Sequence, residues 1–522
     1  MLRILLLASA ILFTWFSACS QENKIKLIRA DALKFDESIG NDAQRLIGDV
    51  KFSHKGAIMY CDSAYLYSIS NSLDAFGNVR VIQGDTLNLT SEKLYYNGNT
   101  RLIKVRDAVT LRDKKMTLET NTLDFNRNSG IAVYYDTGII TSKVNENRLI
   151  SCEGVYNSNT EFFHFRDSVS LINPDYTVET DTLDYNNRTE IAYFSGPTFI
   201  FSDENTIYCE NGWYDTKNDL AQFEEDAFID NGTQLLKGDS LWYSRNDGLG
   251  KAYYNVSIAD TADKYIIYGD FGRYSETTGK TLVTGQAEMI QYDDQDSLFL
   301  HADTLDAVRD SILGDKVHAY HGVKFFRSDI QGAADSLVFS ERDSMIYMYN
   351  DPALWSEGLQ ITGDTIRLKT YQGIIEKLFV YEHAFMVNEI DTAHYNQIKG
   401  KRLTGYFREN DIYKIRIEGN GESLYYALEE EEEEKNDSLQ TQSDSLASEP
   451  VFIGVNKAIC SNIIIYLENQ QVQRIMFLTK PDGAFHPVEK FPEEEKYFDG
   501  FSWQISRRPG DRYEIFASGS EE

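Results

Sequence analysis

Acidic residues or their amides recur along this 522-residue chain at positions 31, 62, 92, 121, 153, 181, 210, 239, 270, 303, 335 and 364. Carboxylates brought together in pairs can serve general acid–base chemistry. Their spacing argues otherwise. The intervals run from 28 to 33 residues, and a residue repeated in every unit of a stack holds a turn or ladder position, whereas an active site is built once. The eight histidines show no zinc-like spacing, and His318 and His321 fall on opposite faces of a strand. Asp293-Asp294-Gln295-Asp296 lacks the glycine and distal glutamate of a helix-loop-helix calcium site and reads as a solvated turn. No Gly-rich phosphate loop, nucleophile elbow or Gly-Asp calcium nonapeptide is present. The expectation is a protein that is not an enzyme, with no metal and no cofactor.

Cysteines offer the remaining reactive groups. Cys61, Cys152 and Cys209 each precede one of the recurrent acids, and Cys460 holds the equivalent place in Cys460-Ser461-Asn462-Ile463. A disulfide framework is one reading. The other is a slot for a small buried residue, since Ala30, Gly84, Thr120 and Thr180 stand in or near equivalent places. Separation by a repeat or more makes pairing awkward and favours the slot.

The elements that position these residues follow from the same repeat. Around each acid the chain reads small residue, acid, any residue, leucine, any residue, aromatic, as in Ala30-Asp31-Ala32-Leu33-Lys34-Phe35 and Thr180-Asp181-Thr182-Leu183-Asp184-Tyr185. Between copies comes a turn residue and then alternating apolar residues, as in Phe76-Gly77-Asn78-Val79-Arg80-Val81. Alternation at period two marks half-buried strands, with Val79 and Val81 on one face and Arg80 on the other. Gly77-Asn78 and Asn97-Gly98 supply positive φ for tight turns between strands. Abundant Tyr and Phe (33 and 29) and scarce Pro (8) suit strands throughout. The chain reads as all-β: units of about thirty residues, each holding several short strands shared between two facing sheets that enclose an apolar seam. Val50, Phe52, Val79, Val81, Leu94, Val109, Leu111, Leu123, Phe125, Val169 and Leu171 are the seam-lining candidates. Leu27 and Leu33 lie on the first strand, which no earlier repeat covers, so its edge is open to strand addition.

Residues 1–20 read as an export signal: Arg3, an apolar core over 4–16, and the small residues Ser17-Ala18-Cys19-Ser20. Cleavage after Ser20 and lipidation at Cys19 are the alternatives for its processing, and an N-terminal membrane anchor left uncleaved is the competing reading of the segment. Net charge of −31 excludes nucleic acid as a partner. The acidic run 429–434 and the polar tract to 450 read as a solvated insertion, and 451–522 as terminal strands with a capping segment marked by Pro481, Pro487, Pro492, Phe498, Phe501 and Trp503.

The repeated acid-x-leucine-x-aromatic motif followed by Gly77-Asn78-Val79-Arg80-Val81, with Gly84-Asp85-Thr86-Leu87 as a further copy, resembles the OstA/LptA family. The resemblance is best over 21–180 and continues more loosely over 181–428. It implies an elongated, repetitive twisted β-jellyroll in the periplasm or associated with the outer membrane. It also implies a groove that shields the acyl chains of lipopolysaccharide (lipid A), and partners among other lipopolysaccharide transport proteins with β-jellyroll domains, joined by edge-strand pairing. The alternative is an exported β-solenoid that binds a glycan or protein at a surface, with polysaccharide lyase activity as one form. The two differ in whether the seam parts to admit lipid.

Overall fold

Two antiparallel strands fill each thirty-residue period. The computed structural model describes residues 24–35, 42–84, 87–143, 146–203, 205–275, 277–292, 296–309, 312, 314–356, 358–371, 374–408, 411–428, 451–468 and 471–517. The expectations for the signal and Cys19, for 85–86, for 293–295 and for 429–450 lie outside the described residues. The rest forms 34 strands, four short 3-10 turns and no α-helix. The elements are not the several short strands per unit that the alternation suggested. They are hairpin-connected strands of 10–12 residues, such as Ala43–His54, Ala57–Tyr67, Ser72–Gln83 and Leu87–Asn97, and each is bent at its middle.

The bend is a β-bulge at the recurrent acid. In one pair the register runs Ile47↔Ser63 and then Val50↔Cys61, so Gly48 and Asp49 face Asp62 alone. Such a bulge kinks the strand and sends its two halves into different sheets. Gly77-Asn78 makes the same corner, both residues at positive φ (71° and 45°). It is therefore a mid-strand corner and not a hairpin turn; both need positive φ, which is why the sequence did not separate them. A Cβ at Gly77 would lie 2.6 Å from Asp62 Oδ2, so only glycine fits over the carboxylate. Asn78 Nδ2 donates to that carboxylate at 2.8 Å and Asn255 Nδ2 to Asp239 at 2.9 Å. The recurrent acid is a corner brace.

The bulge also explains the motif's spacing. In Met116–Asn126 the buried residues are Leu118 and Thr120 before the corner and Leu123 after it. Alternation slips by one at Asn121, so the small residue and the leucine three places later face the same interior. The small slot is buried at Cys61, Ser91, Thr120, Thr180, Cys209, Ala302, Ala334 and Cys460. Cys152 is misplaced by the sequence: it is exposed, and Ser151 fills the slot. Cys152 N–H donates to Asp167 O at 3.1 Å, as Asp31 N–H does to Gly48 O at 3.0 Å, so Cys152 and not Glu153 stands in the acid position. Likewise Gly84 is a hairpin residue, and the copy at Gly421 lies on a corner strand opposite Ser461, which stands in the acid position of its partner. Cys61, Cys152, Cys209 and Cys460 form no disulfide among the described residues, and burial pushes the thiol of Cys61 up to about 12.

The chain divides into two compact units, Met1–Glu204 with Glu210–Lys217, and Asn205–Cys209 with Asn218–Glu522. In the second, the strands lengthen to 14–18 residues over Ile374–Glu389, Tyr395–Arg408, Asp411–Leu428 and Phe452–Glu468. In Ile374–Glu389 one half of the bent strand is buried on both faces, at Ala384, Phe385, Met386 and Val387. The cover is residues 487–517, expected to cap the last strand. They instead run back across the strands as a strap. Phe491 and Phe498 bury beside Phe385, Val387, Leu424, Tyr426 and Val455. Three buried glutamines fasten it. Gln397 donates to Lys496 O and accepts from Phe498 N–H, and Gln360 does the same with Ser502 O and Gln504 N–H. Gln331 accepts from Arg508 Nε at 2.9 Å.

Candidate functional site

Cross-strand register assembles the unit 1 seam into two apolar rows, one on each half of the bent strands. On the first, Leu27, Phe52, Met59, Val81, Leu89, Leu111 and Leu118 are successive partners. It continues through Ile140, Leu149, Leu171, Val178 and Ile200. On the second, Leu33, Leu46, Ala64, Ala75, Leu94, Val105 and Leu123 succeed one another, and Tyr134, Gly154, Phe165, Leu183 and Phe194 form a further run. No position in either row carries a charge. Steps of about 4.8 Å between strands make the first row one continuous apolar lane and the second a lane in two runs.

Of the seam candidates, Val50, Phe52, Val79, Leu94, Val109, Leu123 and Val169 are buried. Val81, Leu111, Phe125 and Leu171 are half-buried, towards the strand ends, while Arg80 points to solvent. The structure thus brings the candidates into one interior, with Val50, Val79, Val109 and Val169 next to the corners. Their role as a lipid lining belongs to the functional proposal below.

The second lane is interrupted once, between Leu123 and Tyr134, at a place the sequence reading missed. The strand pattern breaks into Ile131–Tyr134, Gly138–Ser142, Arg148–Ser151 and Glu153–Asn157. The Tyr134 ring occupies the space where side chains at Gly138 and Gly154 would stand, each Cβ position lying 2.4 Å from a ring carbon. Its hydroxyl meets Ser151 Oγ at 2.5 Å, and burial pushes its phenol up to about 12. Beside it lies an apolar cavity of about 70 Å³ lined by Leu111, Met116, Leu118, Ile140, Val155 and Phe163, among others. Gly138 and Gly154 flanking an aromatic were the available signal.

Leu27 and Leu33 begin the two lanes. They sit on Lys26–Arg29 and Ala32–Phe35, which pair with Ala43–His54 on one side and with no strand on the other among the described residues. Leu33 is 47% exposed and Phe35 72%. Both lanes therefore open at an unpaired edge. Among the described residues no group of three His, Cys, Asp or Glu side chains is arranged to hold a metal. No described helix is long and apolar enough to cross a membrane.

Residues 22–181, which hold most of both lanes, match the family model described as OstA-like protein. This stretch is an OstA-like segment. Among solved structures, the chain is similar to the crystal structure of LptH, described as the LptA homologous periplasmic component of the conserved lipopolysaccharide transport device from Pseudomonas aeruginosa. That match has 11% identity and a TM-score of 0.16, and covers 28% of this chain and 82% of that one. No curated protein matches the chain.

Proposed function

We propose that the OstA-like segment binds lipopolysaccharide in the periplasm and carries it in transit between the membranes, its acyl chains held between the two apolar lanes and its saccharide in solvent. The observation that carries this reading is the pair of uncharged rows, unbroken across seven or more strands. Each methylene moved from water into such a lane contributes about 0.8 kcal/mol. An acyl chain of a dozen carbons thus supplies on the order of 10 kcal/mol to offset parting the rows. Entry starts at the half-buried Val81, Leu111, Phe125 and Leu171 and at the cavity beside Tyr134. The unpaired edge at Leu27 and Leu33 suits the addition of a strand from another transport protein with a β-jellyroll, which would extend both lanes in register. Retention at the outer membrane through a lipid on Cys19 is the form in which the chain would stay membrane-associated.

The test is photo-crosslinking in cells. A photo-reactive residue at Val79, Val81, Val109 or Phe125 is expected to capture lipopolysaccharide, and one at Arg80 is not. Equal labelling at Arg80 and at the seam positions overturns the reading.

A further inference from the structure

The strap leaves the other half of the bent strands in unit 2 bare on its outer face, and register arranges that face as a grid. One row runs Met345, Lys369, Lys377, Tyr406, Lys414, Tyr466, Arg474. The next runs Tyr347, Arg367, Phe379, Thr404, Arg416, Ile464. The third runs Tyr349, Thr365, Tyr381, Arg402, Glu418, Asn462. Seven cations and six aromatic rings share these rows with one carboxylate, Glu418, already paired to Arg416 at 2.7 Å. In a chain of net charge −31 this is a locally basic surface. Cations and rings interleave: Arg367 stands 4.5 Å from the Tyr381 centroid and 5.4 Å from that of Tyr347, and Lys414 5.3 Å from that of Tyr406 and 5.7 Å from that of Tyr466. At the border, Asp343 accepts from the Tyr347 hydroxyl. Arg402, Arg416, Lys377 and Arg474 are exposed, and Arg367 Nε is buried with no partner in the structure.

We infer that this face binds a linear anionic saccharide. Cation–π contacts alone would stabilise a sheet with cations and rings in any order. Here, along the row from Tyr406 to Arg474, ring and cation alternate at every strand step of about 4.8 Å. That order offers stacking platforms for sugar rings and, between them, cations for acid groups carried along the same chain. Negative charge elsewhere on the protein repels polyanions from other surfaces and confines them to this one. The inference is independent of acyl-chain binding in unit 1.

The experiment measures binding of three probes to the full chain by calorimetry: oligogalacturonate, its methyl ester, which keeps the rings without the charge, and polyphosphate, which keeps the charge without the rings. Oligogalacturonate is expected to bind, with at least tenfold loss in the Arg402→Glu/Lys414→Glu double variant and no change in Lys237→Glu, whose exposed lysine lies off the grid. Tyr466→Ala is expected to weaken oligogalacturonate and leave polyphosphate unchanged. The proposal is overturned by absent oligogalacturonate binding, by equal binding of the ester, by polyphosphate binding as tightly, or by indifference to the double variant. Binding that appears only after removal of 429–450 would assign the face to that acidic run and also overturn it.

Discussion

At the scale of single residues, the most regular feature is the brace between the recurrent acid and the corner opposite. Gly77→Ala places a Cβ against the Asp62 carboxylate at a positive φ and is expected to destabilise unit 1 by roughly 1–3 kcal/mol in thermal or denaturant unfolding. Where the corner carries histidine, the brace responds to pH. His383 Nδ1 lies 2.9 Å from Asp364 Oδ1, and this hydrogen bond to the carboxylate raises the imidazole above its ordinary value. A folded value above the unfolded one means the pair's contribution is fully present below about 6.5. It fades as pH rises through the raised folded value. NMR titration should find His383 protonated to higher pH than a free histidine, and Asp364→Asn should return it towards the ordinary range. The sequence announced these acids as structural by their periodicity. It did not show that one of them, Glu153, was a neighbour of the true acid position, because Cys152 there lacks the carboxylate that defined the pattern.

At the scale of elements, alternation and motif spacing were enough to find an all-β chain with an inner face, and Val79, Val81 and Arg80 fall on the faces they assigned. The bend of each strand was not legible, since Gly77-Asn78 has the composition of a hairpin turn and only the pairing Phe76↔Lys93 then Val79↔Ser91 and its equivalents reveal a bulge. The strap was out of reach for a different reason. Runs such as Ala384-Phe385-Met386-Val387 state that a sheet is covered on both faces, but the cover lies about a hundred residues away, beyond any local pattern. Gln360 joins Trp355 Nε1, Ser502 O and Gln504 N–H in one buried network. Gln360→Ala is therefore expected to cost about 1–3 kcal/mol and to speed amide hydrogen exchange across 496–508 ahead of the strands beneath. Unchanged exchange there would show that the aromatic residues hold the strap without the glutamines.

At the scale of the whole molecule, edges matter more than any one pocket. Among the described residues, unit 1 begins at the open strands Lys26–Arg29 and Ala32–Phe35, which carry Leu27 and Leu33, and in unit 2 Gln471–Leu478 and Asp482–His486 pair only with Phe452–Glu468. Proline donates no ladder hydrogen bond, so Leu27→Pro is expected to fold, to lose capture of a jellyroll partner in a pull-down and to leave lipopolysaccharide accumulating at the inner membrane. Normal capture and normal surface lipopolysaccharide in a well-expressed variant would remove edge pairing from the proposal.

The strap has a mechanical consequence. In stacked antiparallel strands the hydrogen bonds lie across the strands, along the direction in which the stack grows, so a pull along that direction opens one ladder after another. The strap crosses the stack in the same direction, fastened at Gln397, Gln360 and Gln331 and tied by Arg507 to Asp351 and by Lys324 to Ala517 O. It acts as a tie-rod: load applied to the strands of unit 2 is shared by covalent chain instead of being met by each ladder alone. Unit 1 has no such member among its described residues, and under force its strands should peel first.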